Sequence, residues 1–251
     1  MSSIIPRLDD LHHGPLAGDL ADCMDQLDEI DTDAKGLVAG LSEEQFHWSP
    51  VASRWSIAQC LVHLVIVGRI YLPILDETIE QGRADDLTAR GPYHYGFIER
   101  WFVNSTEPPP SIRLRTPAAA RPPDDHPIEQ VVAQFRAVQE ELRQRIRAAN
   151  GLDLARVKVT SPFVRALKMG LGSCFLFLAA HERRHLWQAW QVRRDARFPK
   201  EEEMAPKQEE ASPAQLDTEP RQEETPPGQA PPATTFRQPA DSGETKLGET
   251  L

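Results

Sequence analysis

The sequence predicts an all-α fold: a four-helix bundle with one long crossover link and a disordered C-terminal tail. Four stretches have apolar residues at three- and four-residue spacing, a proline-rich stretch separates the second from the third, and the composition changes sharply near Pro199. The only candidate strand is short, at residues 155–160. Bundles of this kind build metal and cofactor sites from side chains on facing helices.

The four long helices are expected at about residues 16–38, 55–80, 127–150 and 172–194. Local signals support these limits. Pro50 breaks the chain before the second helix, and Asn150-Gly151 is a good C-terminal stop for the third. Pro73 lies inside the second helix and is expected to kink or shorten it. Ser42 to Gln45 resembles a capping box that opens a short additional turn.

Residues 81–126 form the predicted crossover link, interrupted by prolines. A link of this length in a small domain is usually functional or mobile. Its aromatic residues indicate that part of it packs against the bundle, with a short helix around Ile98. Trp48 and Trp55 are expected to pack at the entry to the second helix.

The chain divides into a helical domain at 1–198 and a tail at 199–251. The tail is rich in Pro, Glu, Gln, Thr and Ala and has 12 acidic and 5 basic residues, so it carries −7 of the net charge of −10. Such a composition buries too little apolar surface to order itself. The acidic balance argues against a nucleic-acid partner and, more weakly, against an anionic membrane.

The sequence favours a cytoplasmic protein. No segment looks long and apolar enough to span a bilayer, the best run being Leu171 to Ala180, and the first residues do not resemble a secretion signal. The three cysteines, Cys23, Cys60 and Cys174, are too widely spaced for a disulfide framework or a CxxC site. We interpret Cys60 and Cys174 as small core residues.

Three histidines are candidate metal ligands. His181 and His185 lie one helical turn apart on the same face of the fourth helix, among apolar neighbours. His63 lies among apolar residues of the second helix and is the best third ligand. An isolated His-x-x-x-His pair more often binds nothing, and a lone buried histidine is more often structural. Together, three neutral imidazoles suit Zn, Ni, Fe or Cu and leave coordination positions open.

The same residues match a protease motif. His181-Glu182-Arg183-Arg184-His185 reads His-Glu-x-x-His, in which Glu182 would be the general base of a zincin metalloprotease. A zincin needs a further downstream ligand and a sheet to present the peptide, and the sequence indicates neither. We interpret Glu182 as an exposed charge or an acceptor for a ligand's N–H, and the arginines of this helix, Arg183, Arg184, Arg193 and Arg194, as solvated.

Two of these segments resemble the DinB-like (DinB/YfiT-type) superfamily. Pro50, Trp55-Ser56 and His63-Leu64 resemble its helix-2 signature, and the segment from His181 to Gln188 resembles its helix-4 signature. The resemblance covers about residues 16–195. It implies a four-helix bundle with one divalent metal ion held by His63, His181 and His185.

The resemblance also implies a range of functions. Some members resemble thiol S-transferases, in which the metal activates a low-molecular-weight thiol, and several form homodimers. Many members carry an acidic residue where this chain has Gly68. The leading hypothesis is therefore an enzyme that activates a thiol or water for a small-molecule substrate. A non-catalytic metal-binding or interaction bundle is the alternative, and the zincin is a third.

Overall fold

The computed structural model describes residues 15–110, 116–123, 126–164 and 166–200, and these are mostly helical. In chain order the elements are α1 (Gly18–Val38), α2 (Glu43–His47), α3 (Ile57–Ala84), α4 (Phe97–Thr106), a 3-10 turn (Ala118–Ala120), α5 (Ile128–Ala148), β1 (Lys158–Thr160), β2 (Lys168–Gly170) and α6 (Leu171–Arg193). The four long helices and the short helix around Ile98 match the prediction. Apart from Pro199 and Lys200, the predicted tail lies outside the described residues.

The four long helices pack in a closed ring. Helix α3 contacts α5 and α6, and α1 contacts the same two helices from the other side. Each helix contributes apolar side chains to one core; examples are Leu27, Ile30, Leu61, Leu75, Phe135, Ile146, Phe175 and Leu186. The contact between α3 and α6 is the one that matters for function, because the candidate ligands lie on these two helices.

The start of α3 is fixed by a capping box. The Ser56 hydroxyl accepts a hydrogen bond from the Gln59 amide (3.1 Å), and the Gln59 side chain accepts one from the Ser56 amide (2.9 Å). The helix then runs for 28 residues, past Pro73. Of the two expected effects of Pro73, a kink or a shortening of the helix, the shortening does not occur. Pro73 is exposed, so the carbonyl that loses its helical partner there lies near solvent.

A small hairpin leads into α6. Strands β1 and β2 pair antiparallel, with Val159 opposite Met169. The predicted strand at 155–160 is thus correct at its end, whereas β2 was not predicted. The Glu99 carboxylate on α4 accepts hydrogen bonds from the Gly170 amide (3.1 Å) and the Ser173 hydroxyl (2.7 Å). This contact ties α4 to the N-terminal end of α6.

Helix α3 corrects the expectation about apolar segments. An 18-residue window of this helix has a mean hydropathy of 1.8, which is long and apolar enough to cross a membrane by length and composition alone. However, 61% of that window is buried inside the protein. The apolar residues of α3 are therefore accounted for by the core of the bundle.

Gly68 lies at a close approach of α3 and α5. A Cβ atom at this position would come within 2.3 Å of Val138 Cγ1. The acidic residue that the family resemblance suggests at this position has no room in this packing. The side chain that it would meet is Val138, which is β-branched and cannot rotate away from the contact. The absence of a side chain at Gly68 therefore allows α3 and α5 to pack closely at this point.

We expect Gly68→Ala to destabilise the protein by about 1–3 kcal/mol, despite the better helix propensity of alanine, because the added methyl overpacks the α3–α5 contact. Urea unfolding monitored by circular dichroism measures this change. Gly18→Ala is the matched control, since a Cβ at Gly18 meets nothing within 4 Å. The double variant Gly68→Ala/Val138→Ala should recover part of the loss. Equal stability of Gly68→Ala and wild type would contradict this account.

Candidate metal site

The structure brings the three predicted histidines together. His63 on α3 and His185 on α6 are 3% and 8% exposed, and His181 on α6 is partly open to solvent. One ring nitrogen from each residue lies within 4.8 Å of the others. The i and i+4 positions of α6 supply two imidazoles from one face, and the packing of α3 against α6 supplies the third.

The crossover link fixes the orientation of His63. The Ala120 carbonyl lies 2.6 Å from His63 Nδ1. A carbonyl can only accept, so Nδ1 carries the proton and Nε2 keeps its lone pair. That Nε2 atom lies 3.3 Å from Nε2 of His181. A backbone acceptor on the far nitrogen is the usual way in which proteins orient a metal-binding histidine.

The distance between His63 and His181 fits two ligands of one divalent metal ion. Two nitrogens that each bind one zinc ion at about 2.0–2.1 Å with a tetrahedral angle lie about 3.3–3.4 Å apart. The separation of 3.3 Å between His63 and His181 agrees with that spacing. His185 Nδ1 is buried without a hydrogen bond in the structure. Gln188 is near enough to raise the pKa of His185 slightly, but not in hydrogen-bonding geometry.

Aromatic rings enclose the imidazoles. Trp55 stacks on His185 with centroids 5.6 Å apart and lies 5.0 Å from His63, and Phe177 lies 5.8 Å from His181. From the sequence, Trp55 was expected only to pack at the entry to the second helix, and its contact with the histidines was not predicted. The pair Ser56 and Gln59 could have indicated it. These residues form the capping box that begins α3, so Trp55 lies just before the helix and His63 about two turns into it.

Burial keeps the three imidazoles neutral. Burial lowers the pKa of His63, lowers that of His181 to about 3, and lowers that of His185 well below its ordinary value. The neighbouring imidazoles and the Arg184 guanidinium add to the effect at His181 and His185. Neutral imidazole is the form that binds a metal ion, so the site is prepared for one at neutral pH.

Glu182 is buried, which corrects its interpretation as an exposed charge. It is 5% exposed and faces α1 and α5, where Gln139, Asp31 and Arg143 are its polar neighbours. Burial raises its pKa to about 7, against weaker lowering by Gln139 and the two nearby arginines. Its Oε2 and both amide atoms of Gln139 lack a hydrogen bond of good geometry. A zincin would need this carboxylate at the metal, so the geometry does not favour the protease reading.

Two of the arginines expected to be solvated make specific contacts. Arg183 forms a two-pronged ion pair with Glu107 and donates to Gln26 Oε1 at 2.9 Å. Arg193 donates to the carbonyls of Gly36, Leu37 and Ala39, the last turn of α1. Arg184 is partly buried beside the histidines, and only Arg194 is exposed as expected. These contacts fix α6 against α1 and against the crossover link at the C-terminal end of α4.

The cysteines behave as core residues, as expected. All three are buried and unpaired. Burial raises the pKa of Cys23 to about 12 and raises the pKa values of Cys60 and Cys174 still further. A thiol that is rarely ionised is a poor nucleophile and a poor metal ligand.

We expect Glu182→Gln to stabilise the metal-free protein at high pH but not at low pH. The folded-state pKa of about 7 lies above the ordinary value of 4.5. The burial penalty is therefore absent near pH 4.5, grows as the pH rises, and is complete above pH 7. Urea unfolding should show that the free energy of unfolding of Glu182→Gln exceeds that of the wild type by about 1–3 kcal/mol near pH 8. Glu80→Gln, an exposed change on α3, is the control. A gain that is independent of pH would contradict the assignment.

The histidines should give the opposite pH dependence. Their lowered folded-state pKa values mean that the unfolded chain takes up protons first as the pH falls below about 6.5, so stability falls. The slope of the free energy of unfolding against pH approaches about 1.4 kcal/mol per pH unit for each histidine. In a metal-free Glu182→Gln background, His181→Asn should reduce the slope between about pH 6.5 and 5. His94→Asn, at an exposed position, should leave it unchanged. An unchanged slope in His181→Asn would mean that folding does not lower the pKa of this imidazole.

Comparison with known proteins agrees with this geometry. Searches of curated proteins and of solved structures returned no significant match. A family model described as the DinB superfamily matches residues 26–189, which includes all three histidines, all of α3 and most of α6. This match covers well over half of the chain and confirms the resemblance seen in the sequence. The chain belongs to the DinB superfamily.

Proposed function

We propose that this protein binds one divalent metal ion through His63, His181 and His185 and uses it to activate a low-molecular-weight thiol, as in an S-transferase, or water. The observation that carries the proposal is the convergence of three neutral imidazoles from two helices, with one side of the group partly open. Zinc, nickel and iron all suit this donor set.

The chemistry follows from the charge of the site. Three neutral ligands leave the charge of a bound divalent ion uncompensated, and such an ion lowers the pKa of a thiol or water that it binds. The chain's own residues prepare this step. Ala120 holds the His63 proton on the far nitrogen, and Trp55 and Phe177 exclude water from the sides of the imidazole group.

The thiol in this proposal comes from solution. Cys23, Cys60 and Cys174 are buried, and their raised pKa values keep them protonated, so none supports an internal nucleophile. The proposal places the protein in the cytoplasm, where such thiols are kept reduced and unpaired cysteines persist. The partner of the site is then a small molecule with an electrophilic centre.

A non-catalytic metal-binding protein is the second candidate. It is favoured by Gly68, which packs against Val138 where many family members carry an acidic residue. It is also favoured by Glu182, whose carboxyl group faces Gln139 on α5. Since residue 68 has no carboxylate and the Glu182 carboxyl group faces α5, a proton that leaves a bound thiol or water would have to pass to solvent.

Metal content of the purified, untagged protein tests the proposal. We expect near-stoichiometric metal by mass spectrometry in the wild type and a loss of at least about ten-fold in affinity in His63→Ala and in His181→Ala, since each removes one of three ligands. His94→Ala, which changes an exposed histidine, is the matched control and should keep its metal.

Thiol binding separates the two candidates. In the cobalt-loaded protein, an enzyme of the proposed type should show a thiolate absorption band on addition of a low-molecular-weight thiol and should turn over an electrophile. Metal without either response would favour the non-catalytic candidate. Retention of the metal by His63→Ala would contradict a site shared between α3 and α6, and absence of metal after reconstitution would contradict both candidates.

A further inference from the structure

Two neighbouring residues of α6, His181 and Glu182, line one small cavity. The cavity lies between α3, α5 and α6, and the other two helices line it with residues that include Gly68 and Val138. Its volume is about 10 Å³, which is close to the least that holds one water molecule. Apart from Tyr71, the remaining lining residues are apolar. A water molecule in this cavity would therefore find its polar partners chiefly on α6.

Glu182 offers an acceptor that has no partner. Its side chain is 5% exposed, and its Oε2 is buried without a hydrogen bond to the described residues. Such an atom is costly to bury unless a protein group or an ordered water donates to it. Gln139, its polar neighbour on α5, does not line the cavity. The cavity thus offers space for a donor to Oε2 from another direction.

His181 would need an acceptor when it binds a metal ion. Its Nε2 lies 3.3 Å from Nε2 of His63, the side assigned to the ion. A ring nitrogen that binds a metal carries no proton, so the proton of a neutral, metal-bound His181 lies on Nδ1. His63 has such an acceptor in the Ala120 carbonyl. Among the described residues, no hydrogen bond is made at Nδ1 of His181.

A water molecule can connect these two groups, whereas a direct hydrogen bond between them is not expected. Consecutive residues of a helix point about 100° apart, so the imidazole and the carboxyl group diverge from the helix axis. The cavity that both residues line lies in that angle. Water accepts a hydrogen bond from N–H and donates one to a carboxyl oxygen, and a bridge of this kind is nearly as favourable as a direct contact.

We propose that Glu182 is a positioning residue of the metal site, which acts on His181 through one water molecule held in this cavity. The water accepts a hydrogen bond from Nδ1 of His181 and donates one to Oε2 of Glu182. This bridge orients the imidazole, as acceptors on the second nitrogen do for metal-binding histidines in general. The inference rests on the proposed metal site, but it does not depend on the reaction performed there. Glu182 does not touch the metal ion, in contrast to the general base of a zincin.

NMR spectroscopy of the zinc-loaded protein with ¹⁵N-labelled histidine tests the proposal. A ring proton held in a hydrogen bond away from bulk water exchanges slowly enough to be observed, and the Nδ1 proton of His63 is the internal reference. We expect an Nδ1 proton signal from His181 in the wild type. Glu182→Gln should keep the signal, because its amide oxygen still accepts a hydrogen bond. Glu182→Met, which has a side chain of similar length without an oxygen, should lose it.

Zinc affinity, measured by competition with a chelator, is the second readout. We expect Glu182→Met to bind zinc about ten-fold more weakly than the wild type and Glu182→Gln to bind it nearly as tightly. Glu80→Met makes the same exchange at an exposed position of α3 and should change neither readout. Urea unfolding of each variant shows that it folds. Loss of a buried carboxyl group is not expected to unfold the protein, so weaker zinc binding can be separated from loss of the fold.

Several results would overturn the positioning role. These are the absence of the His181 signal in the wild type, an equal signal in Glu182→Met, or an equal loss in Glu182→Gln. The proposed function can fail separately. A Glu182-dependent signal in a zinc-loaded protein that neither binds thiols nor turns over an electrophile would contradict thiol activation and support the positioning role. A thiol response in a protein whose Glu182→Met variant behaves like the wild type would contradict the positioning role alone. A wild type that binds no zinc would overturn both.

Discussion

The contact between α3 and α6 is the constraint on which the candidate site depends. Helix α6 alone can supply only two imidazoles, because the i and i+4 positions exhaust one turn of its inner face. The third comes from α3, so the helix-to-helix packing sets the separation of 3.3 Å between His63 and His181. That packing also removes the rings from water, which keeps them neutral. Geometry and protonation state thus have the same cause.

Much of this architecture could be predicted from the sequence, because it depends on patterns that repeat. Apolar periodicity located the long helices, the Ser42–Gln45 pair located one capping box, and the His63, His181 and His185 set followed from inward-facing positions. The second capping box, at Ser56 and Gln59, was not predicted. Contacts between distant segments could not be predicted. Helical periodicity places Glu182 about 100° from His181, but only the packing of α1 and α5 shows that this direction is buried.

The charged residues of α6 show the same limit. In sequence, Arg183, Arg184 and Arg193 resemble an exposed basic face. In the structure Arg183 binds Glu107 in the link and Arg193 holds the C-terminal end of α1. Arg184 is partly buried, and its charge lowers the pKa values of His181 and His185. Arg183 and Arg193 contact segments far away in the chain, whereas Arg184 acts on histidines of its own helix. A guanidinium has several hydrogen-bond donors in one plane and always carries its charge, so it suits each of these contacts.

The hydrogen bond from His63 to Ala120 has a consequence for how this protein can change over time. Its acceptor is a main-chain oxygen, which no amino-acid exchange at residue 120 can delete. Selection on the link therefore acts on the path of the backbone more than on side-chain identity. Substitutions that preserve the path are tolerated, whereas an insertion or deletion that shifts it would alter the imidazole orientation directly. For this one contact, the length of the crossover segment matters more than the identity of residue 120.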